Sequence, residues 1–376
     1  MAEIYTSSET ASLGSLSPDA ADHIHSVLAD LGLTGTSGVA AQTDAHSATA
    51  EPADVAALSI PGESTPTAGH EGADPVAAIL AGSSAVESEG HGASAVHADD
   101  FGSPITSGAG DAAITGGAGN DSLSGGTAGG DHALVAGGHD TLVGGTGMDT
   151  LWGSETSASL LVGGTEGSSA IHAGQAGGDT IQSSGGADTI YGGNATIYAS
   201  GHSAVIHTDG DTVHATGDAA FIDGSASTHA SQVDNYGAFT TILGGAGNDT
   251  IMLHDTGHGG GLVSGGAGDD HLAASPGGHD SLSGGAGDDY FLSYGFTDSV
   301  IGGDGSDHFA ILGHGTGQDT LDGGAGFDTA YFEDRSYADA HLGHSGSTTL
   351  LSFDDGYHAS LTGIEQLQFK DTVLAN

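Results

Sequence analysis

A nine-residue unit recurs between residues 107 and 331 and limits what this chain can fold into. Each full unit reads Gly-Gly-x-Gly-x-Asp, then one variable residue, then an apolar one. Full or near copies begin at Gly116, Gly144, Gly244, Gly265, Gly284, Gly302 and Gly323. Degenerate copies between them keep only the acid and the apolar residue, as at Asp179-Thr-Ile181. A short internal repeat of this kind is typical of solenoid proteins.

The repeat is too short to fold alone, because each glycine-rich turn precedes a three-residue strand with one apolar side chain. Stacked units bury a continuous file of Leu, Ile, Val and Phe between two sheets, so we predict an all-β fold, a parallel β-roll. Two units make one coil, which places equivalent turns about 18 residues apart. Three pairs of acids are expected to share an edge: Asp270 with Asp289, Asp280 with Asp298, and Asp289 with Asp307. The first part of the buried file is predicted to be Ile114, Leu123, Leu134, Leu142, Leu151, Leu160, Ile171, Ile181 and Ile190.

Changes in composition and in the regularity of the repeat divide the chain into four segments. Residues 1–104 form an acidic arm rich in Ala, Ser and Thr, in short helices or disordered, with Asp19 to Leu31 as the best helix candidate. A docking or assembly segment is the alternative for this arm. Residues 105–235 are a β-roll of degenerate repeats, residues 236–332 are a β-roll of well-formed repeats, and residues 333–376 form a C-terminal β cap and secretion signal.

The charge balance excludes several kinds of partner. The 376 residues include 49 acidic and 2 basic side chains, a formal net charge of −47. Phosphate backbones and anionic membrane surfaces are bound by Lys and Arg, so nucleic acid and acidic lipid head groups are excluded as direct partners. Self-repulsion at this charge density opposes a compact state, so a folded form needs cations from solution.

Three further sequence features bear on the protein's location and chemistry. The chain has no cysteine, which excludes disulfides and thiolate ligands. No apolar run approaches the length of a transmembrane helix. Residues 1–10 lack the basic start and apolar stretch of a secretory signal peptide, so we expect no cleaved N-terminal leader.

The acids within the repeat region are strongly biased toward aspartate. Residues 101–332 contain 25 Asp and 2 Glu, although both residue types carry the same charge. Side-chain length therefore matters: Asp at the sixth position can reach a cation held by the carbonyl oxygens of its own turn. Carboxylate and carbonyl oxygens alone suit Ca²⁺, whereas Mg²⁺ demands tighter octahedral geometry.

The Gly-Gly-x-Gly-x-Asp turns resemble those of the RTX, or haemolysin-type, calcium-binding nonapeptide-repeat family. The resemblance implies multiple Ca²⁺ ions bound between successive coils by the matching carboxylates, namely Asp121, Asp149, Asp249, Asp270, Asp289, Asp307 and Asp328. It also implies carbonyl ligands from Gly144, Gly265, Gly284 and Gly302. The acids of the degenerate copies are added as candidate ligands: Asp140, Asp188, Asp280, Asp298 and Asp319.

The segment from Leu361 to Asp371 resembles the capping segment of the same family. Members are exported in one step by a type I secretion apparatus, through an uncleaved C-terminal signal. The resemblance therefore implies an extracellular or cell-surface location, with folding on Ca²⁺ outside the cell.

The residue after each buried apolar residue is expected to face outward. In the middle of the chain this outward file reads Val135, Val143, Trp152, Leu161, His172, Gln182, Tyr191, Tyr198, His207 and His214. Trp152, Tyr191 and Tyr198 are candidate residues of a lateral contact face, with a scattered, uncovered strand face as the alternative. Histidine pairs such as His254 and His258 are interpreted as exposed residues, with a transition-metal site as the alternative.

No catalytic signature is present, neither His-Glu-x-x-His nor Gly-x-Ser-x-Gly, so we predict a non-catalytic protein. The preferred hypothesis is a secreted calcium-binding structural protein that self-associates into a homo-oligomer or filament, in a surface layer, an extracellular filament or a biofilm matrix. A calcium-dependent adhesin that contacts cell-surface polysaccharide is the alternative. A polyuronate-modifying enzyme is a third possibility.

Overall fold

The computed structural model of the chain describes residues 67–68, 76–79, 86–88, 94–98, 102, 104–107, 110–127, 129–257, 260–294, 297–312 and 316–376. The chain divides into two compact units, Met1–Ala195 and Thr196–Asn376. The predicted helix from Asp19 to Leu31 and the residue His258 lie outside the described residues.

The first unit is built from short strands in which each strand pairs in parallel with the next but one. Odd-numbered strands form one sheet and even-numbered strands the other. The strands are β1 Thr67–Ala68, β2 Val76–Ile79, β3 Val86–Ser88, β4 Ser94–His97, β5 Pro104–Thr106, β6 Ala112–Thr115, β7 Ser122–Ser124, β8 His132–Val135, β9 Thr141–Val143, β10 Thr150–Trp152, β11 Leu160–Val162, β12 Ala170–His172, β13 Thr180–Ser183 and β14 Thr189–Tyr191.

The second unit has, within itself, the same pattern of parallel pairing. Its repeat strands are β15 Thr196–Ala199, β16 Val205–His207, β17 Thr212–Ala215, β18 Phe221–Asp223, β19 Gln232–Asn235, β20 Thr241–Gly245, β21 Thr250–Leu253, β22 Leu262–Ala267, β23 His271–Ala273, β24 Ser281–Ala286, β25 Tyr290–Ser293, β26 Ser299–Asp304, β27 His308–Ile311, β28 Gln318–Ala325 and β29 Thr329–Phe332. Each unit is thus a parallel β-solenoid, as the repeat predicts.

The parallel pairing begins earlier than the sequence suggests. Strands β1 to β4 lie before residue 104, within the segment expected to be helical or disordered. Strand β2 pairs with β4, and β4 pairs with β6, in the same register as the later coils. This part of the chain lacks the Gly-Gly-x-Gly-x-Asp turn, which is the signal that defined the repeat.

The buried file is confirmed except at Leu160. Leu161 is fully buried and pairs with Leu142 and Ile181, whereas Leu160 is half-buried. The turn before β11 ends at Ser159, whose N–H is held by a carboxylate of the next coil, so Leu161 is the centre of the strand. The expectation that Leu161 faces outward is therefore wrong.

Val135 is a second correction to the outward file. It is 1% exposed, and every residue of β8 is buried. The pairing places Val135 between Thr115 and Trp152, whose side chains flank it on the same face of the sheet.

The predicted pairs of acids do share edges. The N–H of Asp270 donates to Asp289 Oδ1 at 2.9 Å, and the N–H of Asp289 donates to Asp307 Oδ1 at 2.9 Å. The N–H of Asp280 donates to Asp298 Oδ1 at 3.1 Å. These hydrogen bonds link equivalent turns of successive coils.

The expected all-β cap closes the second unit. It contains a 3₁₀ helix and five strands: η1 Tyr337–Asp339, β30 Ala340–Ser345, β31 Thr348–Phe353, β32 His358–Thr362, β33 Gln366–Phe369 and β34 Val373–Ala375. Strands β32 and β33 add in parallel to β28 and β29, whereas the other cap strands pair antiparallel. Within the described stretches, no helix has the length and apolarity needed to cross a membrane.

The one arginine of the chain anchors the cap. Arg335 is 4% exposed, and its guanidinium lies 4.4 Å from the ring centre of Phe353 and 4.8 Å from that of Tyr357. It also pairs with Asp355 at 2.9 Å. These contacts hold the β31–β32 hairpin against the end of the roll.

Candidate metal centre

All twelve aspartates predicted as ligands are buried, each at most 3% exposed. In the second unit they fall on two edges. Turns that lead into odd-numbered strands place one acid per coil along one edge, which we call the open row: Asp249, Asp270, Asp289, Asp307 and Asp328. The other edge has Asp280, Asp298 and Asp319.

Backbone hydrogen bonds hold one carboxylate oxygen of every acid in the open row. The N–H of Asp249 donates to Asp270 Oδ1 at 2.7 Å, and the N–H of Asp307 donates to Asp328 Oδ1 at 2.8 Å. Ser231 begins this ladder by donating to Asp249 Oδ1 at 2.7 Å. The ladder fixes the orientation of each carboxylate.

The second oxygen, Oδ2, of each acid in the open row is buried and accepts no hydrogen bond. A buried carboxylate oxygen without a donor costs free energy unless a proton or a cation compensates it. Five such oxygens in successive coils therefore point to a bound proton or cation at each position.

The first glycine of each turn shows where such a ligand fits. A Cβ built on Gly284 would lie less than 3.0 Å from both Asp289 Oδ2 and the Gly302 carbonyl oxygen. A Cβ built on Gly244, Gly302 or Gly323 would likewise lie less than 3.0 Å from a carboxylate oxygen and a glycine carbonyl oxygen. A Cβ on Gly265 would lie that close to the carboxylate oxygen of Asp270. Carboxylate and carbonyl oxygens that converge on a space free of side chains fit the ligand preference of Ca²⁺.

Burial and mutual repulsion make these acids hard to ionise when no cation is present. Burial, with the charges of Asp270 and Asp307, raises the pKa of Asp289 to about 7. Burial is also the main cause that raises the pKa of Asp270 and of Asp307 to about 6. The pKa of Asp249 is raised by burial as well. Perturbed carboxyls of this kind are typical of binding sites.

The opposite edge of the second unit is closed by hydroxyl groups. Both the N–H and the hydroxyl of Ser275 donate to Asp280 Oδ2 at 2.7 Å. Ser293 donates to Asp298 Oδ2 at 2.9 Å, although burial still raises the pKa of Asp298 to about 7.

Asp319, the last acid on this closed edge, is held by the cap. The Tyr357 hydroxyl donates to Asp319 Oδ2 at 2.8 Å. Tyr357 is fully buried, and its burial beside Asp319 raises the pKa of the phenol well above its usual value. Protein donors therefore already occupy the oxygens that a metal would need on this edge.

The turns of the first unit are closed by backbone N–H groups and, at Asp188, by a serine hydroxyl. The Gly117 N–H donates to Asp121 Oδ2 at 2.9 Å, and the Gly137 N–H donates to Asp140 Oδ2 at 2.8 Å. The hydroxyl of Ser183 donates to Asp188 Oδ2 at 2.5 Å.

Asp149, the remaining acid of the first unit, has two protein partners. Its Oδ2 accepts the Gly145 N–H at 2.5 Å, and its Oδ1 lies 2.7 Å from Nδ1 of the buried His132. A Cβ on Gly144 would meet the amide nitrogen of Gly164 rather than a carbonyl. The structure thus places Gly144 beside hydrogen-bond donors, unlike Gly284 and Gly302.

The backbone of the second glycine distinguishes four of the five turns of the open row from the closed turns that begin at Gly116 and Gly144. Its φ is +127° at Gly285 and +127° at Gly303, a left-handed conformation that glycine adopts without a Cβ clash. Gly117 and Gly145 stand at the same repeat position but are outside this region, and their N–H groups point at the carboxylate. Gly266 and Gly324 are also left-handed, whereas Gly245, at the same position before Asp249, is not. The left-handed glycine therefore accompanies four of the five turns of the open row.

Sequence reasoning missed the side chains that close the turns. Ser183, Ser275 and Ser293 each stand five residues before an acid, at the place that the first glycine occupies in a full repeat. That substitution is the available signal, because serine brings a hydroxyl to the position that is otherwise empty. Tyr357 and Glu365 of the cap stand outside the repeat and have no such signal.

The candidate contact residues do not form one row. The rings of Trp152 and His172 stack at 3.8 Å between centroids, and those of His172 and Tyr191 at 4.4 Å, along β10, β12 and β14. Tyr198 belongs to the second unit, where it stacks on His214 at 5.1 Å. Since the rings stack on their neighbours, Trp152 and Tyr191 each have one face covered.

No group of three or more His, Asp or Glu side chains in the described ranges is arranged to hold a metal ion. A metal at the open row must therefore draw on backbone carbonyls, with one carboxylate from each coil.

Comparison with known proteins agrees with this geometry. The family model of the RTX calcium-binding nonapeptide repeat, in four copies, matches residues 106–131, 135–155, 173–195, 240–254, 264–298, 277–310 and 315–331. A comparison with curated proteins gives no significant match. The matched segments include every acid of the open row.

Proposed function

Since this chain is an RTX-repeat protein, with matched repeats between residues 106 and 331, we propose that it is a secreted structural protein that orders on Ca²⁺ and then self-assembles at the cell surface. Calcium binding and the β-roll are properties of the repeat itself. The secreted, non-catalytic and self-assembling character is the proposal.

The observation that carries the proposal is the open row of buried carboxylates. The N–H ladder holds each Oδ1, and each Oδ2 is buried without a donor. At four of the five acids a glycine carbonyl oxygen converges on the same space. When bound, Ca²⁺ supplies the positive charge that lets neighbouring buried carboxylates remain ionised. The coils that contain these residues are then stable only in a medium that provides the cation.

Secretion provides a reason for folding to depend on Ca²⁺. RTX repeats are typical of secreted proteins. Where free Ca²⁺ is scarce, the 49 acids repel one another and the chain stays extended enough to thread an export channel. Sites of the extracellular class have dissociation constants on the order of 10⁻⁴ to 10⁻³ M, so they fill only outside the cell.

Among the described residues, every buried acid belongs to a repeat of the roll, and such an arrangement suits a structural role. RTX β-rolls are generally non-catalytic. Exposed apolar side chains on the strands of the second unit offer a surface for another copy: Leu262 is 50% exposed on β22 and Ile301 is 46% exposed on β26. Regular strands with exposed apolar residues favour association once the roll has folded.

Light scattering of the purified full chain tests this proposal. On addition of Ca²⁺ we expect particles whose growth depends on protein concentration and reverses with chelator. The double variant Leu262→Thr, Ile301→Thr should fold on Ca²⁺, as judged by circular dichroism, but grow more slowly. A folded chain that stays monomeric at every concentration would contradict self-assembly, and adherence of such a monomer to glycans would favour an adhesin.

A further inference from the structure

The cap contains a turn in phase with the repeats of the roll. Strand β32 pairs with β28 so that Leu361 lies beside Leu321, and β33 pairs with β29 so that Leu367 lies beside Ala330. Residues 363–365 connect these strands and therefore stand where the next turn of the open row would stand. This segment has no Gly-Gly-x-Gly-x-Asp motif.

Glu365 takes the place of the turn aspartate. The N–H of Asp328 donates to Glu365 Oε2 at 2.9 Å, just as the N–H of Asp307 donates to Asp328 Oδ1 at 2.8 Å. The residue after the acid repeats the pattern as well. The Gln366 N–H donates to the Asp328 carbonyl at 3.0 Å, as the Thr329 N–H does to the Asp307 carbonyl at 2.9 Å.

Gly363 takes the place of the first glycine of the next turn. A Cβ on Gly323 would lie less than 3.0 Å from both Asp328 Oδ2 and the Gly363 carbonyl oxygen. One coil earlier, a Cβ on Gly302 would lie equally close to Asp307 Oδ2 and the Gly323 carbonyl oxygen. The same two oxygen types thus converge at the end of the roll.

Asp328 is the unpartnered group at this position. It is 0% exposed, and its Oδ2 is buried without a hydrogen bond. Burial raises its pKa, and the nearby charge of Glu365 raises it further. The two carboxylates and the carbonyl form a set of hard oxygen ligands. No protein group donates to the Oδ2 of Asp328.

We propose that the cap supplies a terminal Ca²⁺ site, in which Glu365 and the Gly363 carbonyl act with Asp328. This inference rests on the proposed function, because it assumes that the open row binds Ca²⁺. The cap is then more than a cover for the end of the solenoid: it provides ligands that the last repeat does not have, and its docking depends on the cation.

The test compares the full wild-type chain with three variants, each with one glutamate replaced. Glu365→Gln keeps an oxygen that can accept the Asp328 N–H but removes the charge. Glu365→Asp keeps the charge on the shorter side chain that stands at the same place in the coils of the open row. Glu333→Gln is the matched control, since Glu333 is an exposed glutamate near the cap.

Calorimetric titration with CaCl₂, followed in parallel by circular dichroism, provides the readout. We expect Glu365→Gln to bind one Ca²⁺ fewer per chain and to fold at a higher Ca²⁺ concentration. Glu365→Asp and Glu333→Gln should keep the wild-type stoichiometry. If Glu365→Gln does not fold at any Ca²⁺ concentration, folding of Glu365→Asp with full stoichiometry still supports the site.

If Glu365→Gln binds as many Ca²⁺ ions as the wild type, the terminal site is wrong. The site is also wrong if Glu365→Gln and Glu365→Asp lose Ca²⁺ binding or folding to the same extent. Neither result would affect the open row. Absence of Ca²⁺ binding by the wild-type chain would instead remove the proposed function itself.

Discussion

Turn aspartates that look alike in the sequence differ in what their second carboxylate oxygen contacts. Asp121 and Asp289 both follow a full Gly-Gly-x-Gly turn and are both buried. The Gly117 N–H satisfies Asp121, whereas Asp289 Oδ2 has no hydrogen bond. We therefore propose that the open row binds the cation and that the closed turns have a structural role.

The raised pKa values predict how the metal-free roll responds to pH. Asp289 has a pKa of about 7 in the fold, against 3.8 for an ordinary aspartate. Between these values the folded state holds more protons than the unfolded state, so stability falls as pH rises from about 4 to 7. Circular dichroism of the metal-free chain across this range should show more ordered roll at the acidic end.

The control for this pH dependence is Asp289→Asn, which cannot ionise and should reduce the slope. A metal-free chain that gains structure as pH rises toward 7 would contradict the assignment. With Ca²⁺ present the direction reverses, because protons compete with the cation for the same oxygens.

Asp289→Asn should also weaken the response to Ca²⁺. Loss of one carboxylate from the middle of the open row is expected to raise the Ca²⁺ concentration at the folding midpoint roughly tenfold, or about 1.4 kcal/mol. The neighbouring Asp288→Asn is the control, since Asp288 is exposed and an amide can still accept the Ser306 N–H. Equal midpoints for the two variants would show that the buried oxygen has no special role.

At the scale of the turn, a left-handed second glycine marks four of the five turns of the open row. Gly285 has a φ of +127°, and a Cβ there would lie less than 3.0 Å from the Gly266 carbonyl. Gly285→Ala should destabilise the Ca²⁺-loaded roll by at least about 2 kcal/mol. Gly343→Ala, in β30, is the control, because a Cβ there has no atom within 4 Å. Chemical denaturation in excess Ca²⁺ measures both; a similar loss in each would contradict the account.

At the scale of the strand, alanine substitutions at the neighbouring residues Leu160 and Leu161 test the register of β11. Leu161→Ala should cost about 2–5 kcal/mol, since the buried side chain leaves a cavity in the file. Leu160→Ala should cost less than about 1 kcal/mol, because the residue is only half-buried. Thermal unfolding of both variants in Ca²⁺ decides the register, and a larger loss at Leu160 would reverse it.

The repeat predicts the fold because its period alone sets which strands pair. The link between Asp270 and Asp289 follows from their spacing and is found in the structure. The position of Leu161 did not follow, since the turn before it is one residue longer and has Ser159 where the repeat has its aspartate. The contacts of Tyr357 and Glu365 could not be predicted either, because they depend on the cap folding back onto β28 and β29.

At the scale of the whole molecule, the net charge of −47 makes the folded state depend on its medium. The two basic side chains cannot neutralise the acids, and Arg335 is already paired with Asp355 in the cap. Ordering therefore requires cations from solution, and the open row gives them a defined place. In the proposed function, export as an extended chain and assembly as a folded one are two states of the same electrostatic balance.

The most direct test is the size of the purified full chain at neutral pH in chelator and in millimolar Ca²⁺, by size-exclusion chromatography with circular dichroism. We predict an expanded chain with little β-structure in chelator, and a compact β-rich chain after Ca²⁺ is added. A chain that is equally compact and β-rich in both media would contradict the claim that cations at the open row hold the coils together.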